Sequence, residues 1–174
     1  MKNVIAIVLA MALAVAGGIW TVQKCPHRQE AAASGVYRVA RVFDGDTIKL
    51  ENGERVRLIG IDTPETHDNP KLARDISRRH SDRSAQLAMG EQAARFTRDL
   101  LQDRDVRLEM DVEARDKYGR MLAYVYLSDG TFINEKIIRE GYAYPLTIPP
   151  NVRHADEFVQ WFNEARQQKR GLWK

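Results

Sequence analysis

A single cysteine, Cys25, stands in a chain of 174 residues, so no intrachain disulfide can form and stability must come from packing alone. Histidine is scarce as well. His67, His80 and His154 show no ligand spacing, which leaves oxygen donors as the only basis for a metal site. Nor is there surplus charge in the body of the chain. Lys2, Lys24 and Arg28 have no acidic residue among them, and removing them from the 27 basic residues leaves 24 against 24 acidic ones. The basic pI of about 9.1 therefore belongs to the N-terminus. Overall charge gives no argument for nucleic-acid binding, and any such case has to rest on local placement. No internal repeat is present, and the length suits one domain and a leader, not two domains.

What is present begins with a nearly continuous apolar run, Val4 to Val22, after Met1-Lys2-Asn3, as an export signal begins. Ala14-Val15-Ala16 offers a cleavage site, yet the run continues through Ile19 and Trp20 to about the minimum length of a spanning helix. Residues 1–28 are thus expected to be a signal peptide or a membrane anchor, residues 29–34 a linker, and residues 35–174 the domain. An exported protein follows, anchored facing outward from the cell membrane, or periplasmic or secreted if the leader is removed.

The domain opens with alternation over Gly35 to Val42, a turn at Asp44-Gly45-Asp46, and a return strand from Thr47 to Leu50. Asn52-Gly53 is a hairpin turn before a third strand, Arg55 to Ile61. A helix is expected over Glu91 to Leu101, then strands over Asp105 to Met110 and Met121 to Leu127. That order predicts an α+β fold, a five-stranded OB-type barrel with a helix between strands three and four. Two C-terminal helices follow, Asn134 to Glu140, ended by Gly141, and Val152 to Lys169, with Val152, Ala155, Phe158, Val159, Phe162 and Ala165 as its core stripe. Gly171-Leu172-Trp173 is expected to fold back on the barrel.

Chemistry concentrates where the third strand ends. Pro64 stops the strand and fixes Asp62 and Glu65 at its mouth. Arg57 and Asp62 have opposite parity on an ideal strand, so they converge only if the strand bends, and Gly60 permits that. Asp46, at the tip between strands one and two, can approach Asp62 from the neighbouring strand. Two carboxylates in proximity need a cation, and oxygen ligation suits calcium or magnesium. Taken separately, Asp46 also reads as an aspartate capping its own turn, and Arg120, Lys117 and Tyr118 as residues of a solvated turn.

Together, Asp44-Gly45-Asp46-Thr47, Arg57-Leu58-Ile59-Gly60-Ile61-Asp62-Thr63-Pro64-Glu65 and Asp116-Lys117-Tyr118-Gly119-Arg120 form an ordered set that resembles the staphylococcal nuclease (thermonuclease) family over roughly residues 36 to 173. The resemblance implies a calcium-dependent hydrolase of DNA and RNA phosphodiesters with little sugar specificity, leaving 3′-phosphates. It implies calcium on Asp46, Asp62 and the Thr63 carbonyl, phosphate held by Arg57 and Arg120, and Glu65 directing the attacking water. Lys117 and Tyr118 would lie near the nucleotide's phosphate, and a monomer is expected. The alternative is a noncatalytic nucleic-acid-binding module of the same fold, which would have no reason to keep the whole set. Two departures stand out. The family's tyrosine pair is replaced by Leu146, Thr147 and Ile148 ahead of Pro149, and the stretch from Glu65 to Glu91 is longer. Within it Lys71, Arg74 and Arg78 recur at helical spacing, which reads either as a substrate-holding face that tracks a phosphate backbone or as an exposed loop whose charges keep it soluble.

Overall fold

The computed structural model describes residues 35–79 and 82–174. The leader and linker expected at 1–28 and 29–34 lie outside these residues, as does the side chain of Arg78. Among the described residues no helix is long and apolar enough to cross a membrane.

Strand β1, Val36–Asp44, does not keep a strict two-residue period. Register shifts between Val39 and Arg41 and between Val42 and Asp44 let both Val39 and Val42 point inward. Such bulges bend a strand, and here the bend lets β1 serve two neighbours. Its later half pairs with β2, Thr47–Leu50, and its first residues pair with β5, Asp105–Glu109. The Asn52-Gly53 turn, with Gly53 at φ +89°, leads from β2 into β3, Arg55–Leu58. Parallel pairing of β3 with β6, Met121–Leu127, and antiparallel pairing of β6 with β5 close a barrel in the order β1-β2-β3-β6-β5. Ile48, Leu50, Val56, Leu58, Val106, Leu108 and Val125 fill it almost without exposure. Complete burial of each such side chain contributes about 1.5–3 kcal/mol.

The third strand expected over Arg55 to Ile61 is interrupted. At Ile59 the chain leaves the barrel, and Gly60–Asp62 (β4) pairs instead with β7, Tyr144–Leu146, a short proline-containing strand that periodicity does not reveal. Gly60 adopts φ +83°, and a Cβ there would lie 2.0 Å from the Phe158 ring, so both backbone and packing require glycine. Asn134 secures the break from the other side, accepting from the Val125 N–H at 2.9 Å and donating to the Ile59 carbonyl at 2.8 Å.

Two helices fill the stretch between Glu65 and the next barrel strand. Helix α1 spans Pro70–Arg79, and α2 spans Arg83–Leu101, starting well before the expected Glu91. Asp82 caps α2 by accepting from the N–H groups of Ser84 and Ala85. Helix α3, Ile133–Arg139, and α4, Ala155–Gln167, complete the domain. Phe158 and Ala165 of the α4 stripe are buried, whereas Val152 and Val159 are each 46% exposed, because the helix begins after Val152 and turns its Phe158 side to the domain. The terminal turn Gly171–Trp173 returns against β7 and α4 and not the barrel, with Trp173 4.9 Å from the Tyr144 ring and 5.4 Å from the Phe162 ring.

Candidate active site

The β1–β2 connection delivers Asp46 into a buried position where both carboxylate oxygens are hydrogen-bonded. One carboxylate oxygen accepts from the Thr63 N–H at 2.9 Å and the Thr63 hydroxyl at 3.2 Å, and the other accepts from the Thr47 hydroxyl at 3.0 Å. Gly45 cannot carry a side chain there, since a Cβ would stand 2.6 Å from Thr63 Cγ2. Helix α2 reaches across to fix the same turn, with the Thr97 hydroxyl donating to the Gly45 carbonyl at 2.8 Å. Turn, strand end and helix are therefore one unit.

Arg57 joins the two aspartates. Its Nη1 lies 2.9 Å from Asp46 Oδ2 and its Nη2 3.3 Å from Asp62 Oδ1. The bend at Gly60 brings about this convergence, as the parity argument requires. Burial opposes charge on Asp46, but Arg57, then Lys71 and the Thr63 N–H, hold its carboxyl below the usual range. Asp62 moves the other way, raised by burial and by the nearby Asp46 charge against the pull of Lys71 and Arg57. Asp44 is pushed up to about 8, mainly by burial and then by Asp46.

Lys71 does not join an outward phosphate-tracking face. The carboxylates draw its ammonium inward, to 2.9 Å from Asp62 Oδ1, 2.9 Å from the Thr63 carbonyl and 2.5 Å from Glu65 Oε1. Burial works against this charge, but Asp46, Asp62 and Glu65 outweigh it and raise the ammonium pKa above its ordinary value. Glu65 is held a second time by the Asn69 amide at 2.6 Å. Arg74 stays exposed.

Among the described residues no group of three or more His, Cys, Asp and Glu side chains is arranged to hold a metal ion. What the site offers is two carboxylates, Asp46 and Asp62, bridged by one guanidinium, with the Thr63 carbonyl beside them. Hard oxygens are the donor chemistry of a calcium or magnesium site, so the residues fit such an ion.

Arg57 also lines a cleft of about 430 Å³ shared with Lys117, Tyr118 and Arg120. Asp116 accepts from Arg120 Nε at 2.7 Å and from the backbone N–H groups of Tyr118 and Arg120, which shapes the loop and aims the guanidinium. Lys117 and Arg120 approach the Tyr118 ring at 5.1 and 5.6 Å, and that ring is 72% exposed. Leu146 and Ile148 form part of the apolar wall. Asn151 ties the neighbouring loop, accepting from the Glu113 N–H at 2.7 Å and donating to its carbonyl at 2.8 Å.

A family model described as staphylococcal nuclease homologue matches residues 55–174. The chain is 40% identical over 141 residues to a thermonuclease of Staphylococcus intermedius, covering 79% of this chain and 76% of the relative. It is 35% identical over 140 residues to a thermonuclease of Staphylococcus hyicus, covering 79% and 75%. An uncharacterized endonuclease of Escherichia coli O157:H7 is 35% identical over 139 residues, covering 78% and 75%. The chain belongs to the staphylococcal nuclease family.

As a staphylococcal nuclease homologue it is a phosphodiester hydrolase acting on nucleic acid, with the family's barrel. Some supports of this nuclease site escape sequence reasoning. Asp44 had a visible signal, the first acid of an Asp-Gly-Asp turn. Asn69-Pro70 had one too, an N-cap residue followed by proline at the first helical position. Gly90 and Thr97 had none, because their partners, the Glu65 backbone and the Gly45 carbonyl, come from distant segments.

Proposed function

We propose that this nuclease cleaves DNA and RNA alike, with calcium as its metal, and leaves 3′-phosphate ends. The observation that carries the reading is that Arg57 belongs to two places at once, bridging Asp46 and Asp62 and lining the cleft that holds Arg120. Asp46, Asp62 and the Thr63 carbonyl would hold the ion, which when bound supplies positive charge beside the scissile phosphate. The two guanidiniums bind the phosphate oxygens, each able to present paired donors to the charge that grows during in-line attack. Glu65 orients a water and takes its proton. The water oxygen forms the new bond to phosphorus, the bond to the 5′ oxygen breaks, and that oxygen takes a proton from solvent, to which Glu65 gives up its own. Leu146 and Ile148 give the cleft an apolar wall against which a base can rest. Digesting matched DNA and RNA oligonucleotides and reading the product ends tests the proposal. Cleavage of both to 3′-phosphates is expected, and 5′-phosphate ends or strict refusal of one nucleic acid would overturn it.

We also propose export. The apolar run Val4 to Val22 supports a domain over 35–174 held outside the cell membrane, or released if the leader at 1–28 is cleaved. Fractionation of cells and the mass of the mature chain test this. Retention of the full-length chain in the cytosolic fraction would overturn it.

A further inference from the structure

Lys71 is not a surface lysine that has drifted into the site. The Asn69 side chain accepts from the N–H groups of Lys71 and Leu72 at 2.9 Å each, and Leu72 is completely buried with Asp75 nearly so. The first turn of α1 is thereby fixed, and the lysine stem is delivered from a defined point. Its ammonium has three donors, and three oxygens surround it, those of Thr63, Asp62 and Glu65. Two of these, the Thr63 carbonyl and the Asp62 carboxylate, belong to the set expected to hold the metal.

Calcium sits about 2.3–2.6 Å from its oxygen ligands. A lysine nitrogen 2.9 Å from the same two oxygens occupies the space the ion needs. Charge leads to the same place. The carboxylates of Asp46, Asp62 and Glu65 exceed the cations Arg57 and Lys71 by one, and a divalent ion in place of the ammonium brings the cluster to balance.

We propose that Lys71 is a built-in competitor for the metal seat: calcium binds by displacing the ammonium, which leaves Thr63 and Asp62 and releases Glu65 for its water. The proposal rests on the reading of Asp46, Asp62 and Thr63 as metal ligands. Its consequence is a site whose carboxylates are offset to within one charge without metal, and that fills at higher calcium than its carboxylates alone would set.

Calcium calorimetry on the full-length protein in mild detergent tests this, wild type against Lys71→Met, which keeps the stem and the helix propensity. Binding at unchanged stoichiometry and at least about ten-fold tighter is expected for Lys71→Met, because a like charge next to the ion is removed. Equal or weaker binding by the variant overturns the exchange and leaves the metal reading standing, while no binding by either protein overturns both. A second measurement needs no variant. Acetylation of lysines in the wild type, read by mass spectrometry, should find Lys71 protected without calcium and labelled several-fold faster at saturating calcium. Labelling that is unchanged or slowed by calcium overturns the proposal.

Discussion

Replacing Gly90 by alanine separates what helix propensity favours from what the active site permits. In an ordinary helix interior the change stabilises by about 1 kcal/mol. Here the new Cβ would lie 2.1 Å from the Glu65 carbonyl oxygen and 2.5 Å from its carbon, both backbone atoms. Restoring ordinary contact requires a displacement of roughly 1 Å, on the scale of overpacking that costs about 1–3 kcal/mol. Helix α2 cannot recoil easily, since Ala93 and Ala94 are buried and Thr97 holds the Gly45 carbonyl. The Pro64-Glu65 turn moves instead and carries the Glu65 carboxylate with it. Net stability should fall by about 0–2 kcal/mol in chemical denaturation. Cleavage of single-stranded DNA should fall about 100-fold in kcat/KM, the scale of a misplacement of that size. A Gly90→Ala protein that is more stable than wild type and fully active would refute the reasoning.

Arg57→Lys keeps the charge but loses the planar fork that reaches both Asp46 and Asp62, and kcat should drop by about 100-fold or more. A near-normal kcat would make Arg57 an ion-pair partner only. Asp116 is disfavoured as a carboxylate by burial, yet Arg120 holds it below the usual range, so it binds fewer protons folded than unfolded at acid pH. Its stabilising effect is complete above the ordinary carboxylate value of about 3.9 and is lost as pH falls through the lowered value. Denaturation across that window should show Asp116→Asn less stable than wild type near neutrality, with the difference closing in acid, and a pH-independent difference would contradict this. Arg74→Gln removes an exposed cation of α1 and should lower the salt slope of single-strand binding by about 0.7 if that face meets phosphate. An unchanged slope removes α1 from the binding surface.

The barrel was legible because its strands advertise themselves locally. Asn52-Gly53 marks a hairpin, and Asp105–Glu109 alternates as a strand should. The bend at Gly60 was legible from chemistry, since Arg57 and Asp62 could not otherwise meet. What lies beyond local signals was not legible. Residues Gly60–Asp62 leave the barrel for Tyr144–Leu146, a pairing across a long sequence separation that includes Pro145. Helix α2 extends back to Arg83 through polar residues whose apolar period is weak, and its start is set by the Asp82 cap. Spacing placed Lys71, Arg74 and Arg78 along one face, as a helix does, but a lysine stem is long enough to leave that face when three oxygens lie within its reach.

We propose that hydrolysis depends on an ion held by Asp46 and its neighbours. The most direct test is cleavage of fluorescent single-stranded DNA by the full-length protein, stripped with a chelator and then titrated with calcium, beside Asp46→Asn. No cleavage in chelator and a saturable rise with calcium are expected for the wild type. Asp46→Asn, folded by circular dichroism, should stay inactive throughout the titration. Undiminished cleavage in chelator, or equal activity of the variant at saturating calcium, would contradict the assignment.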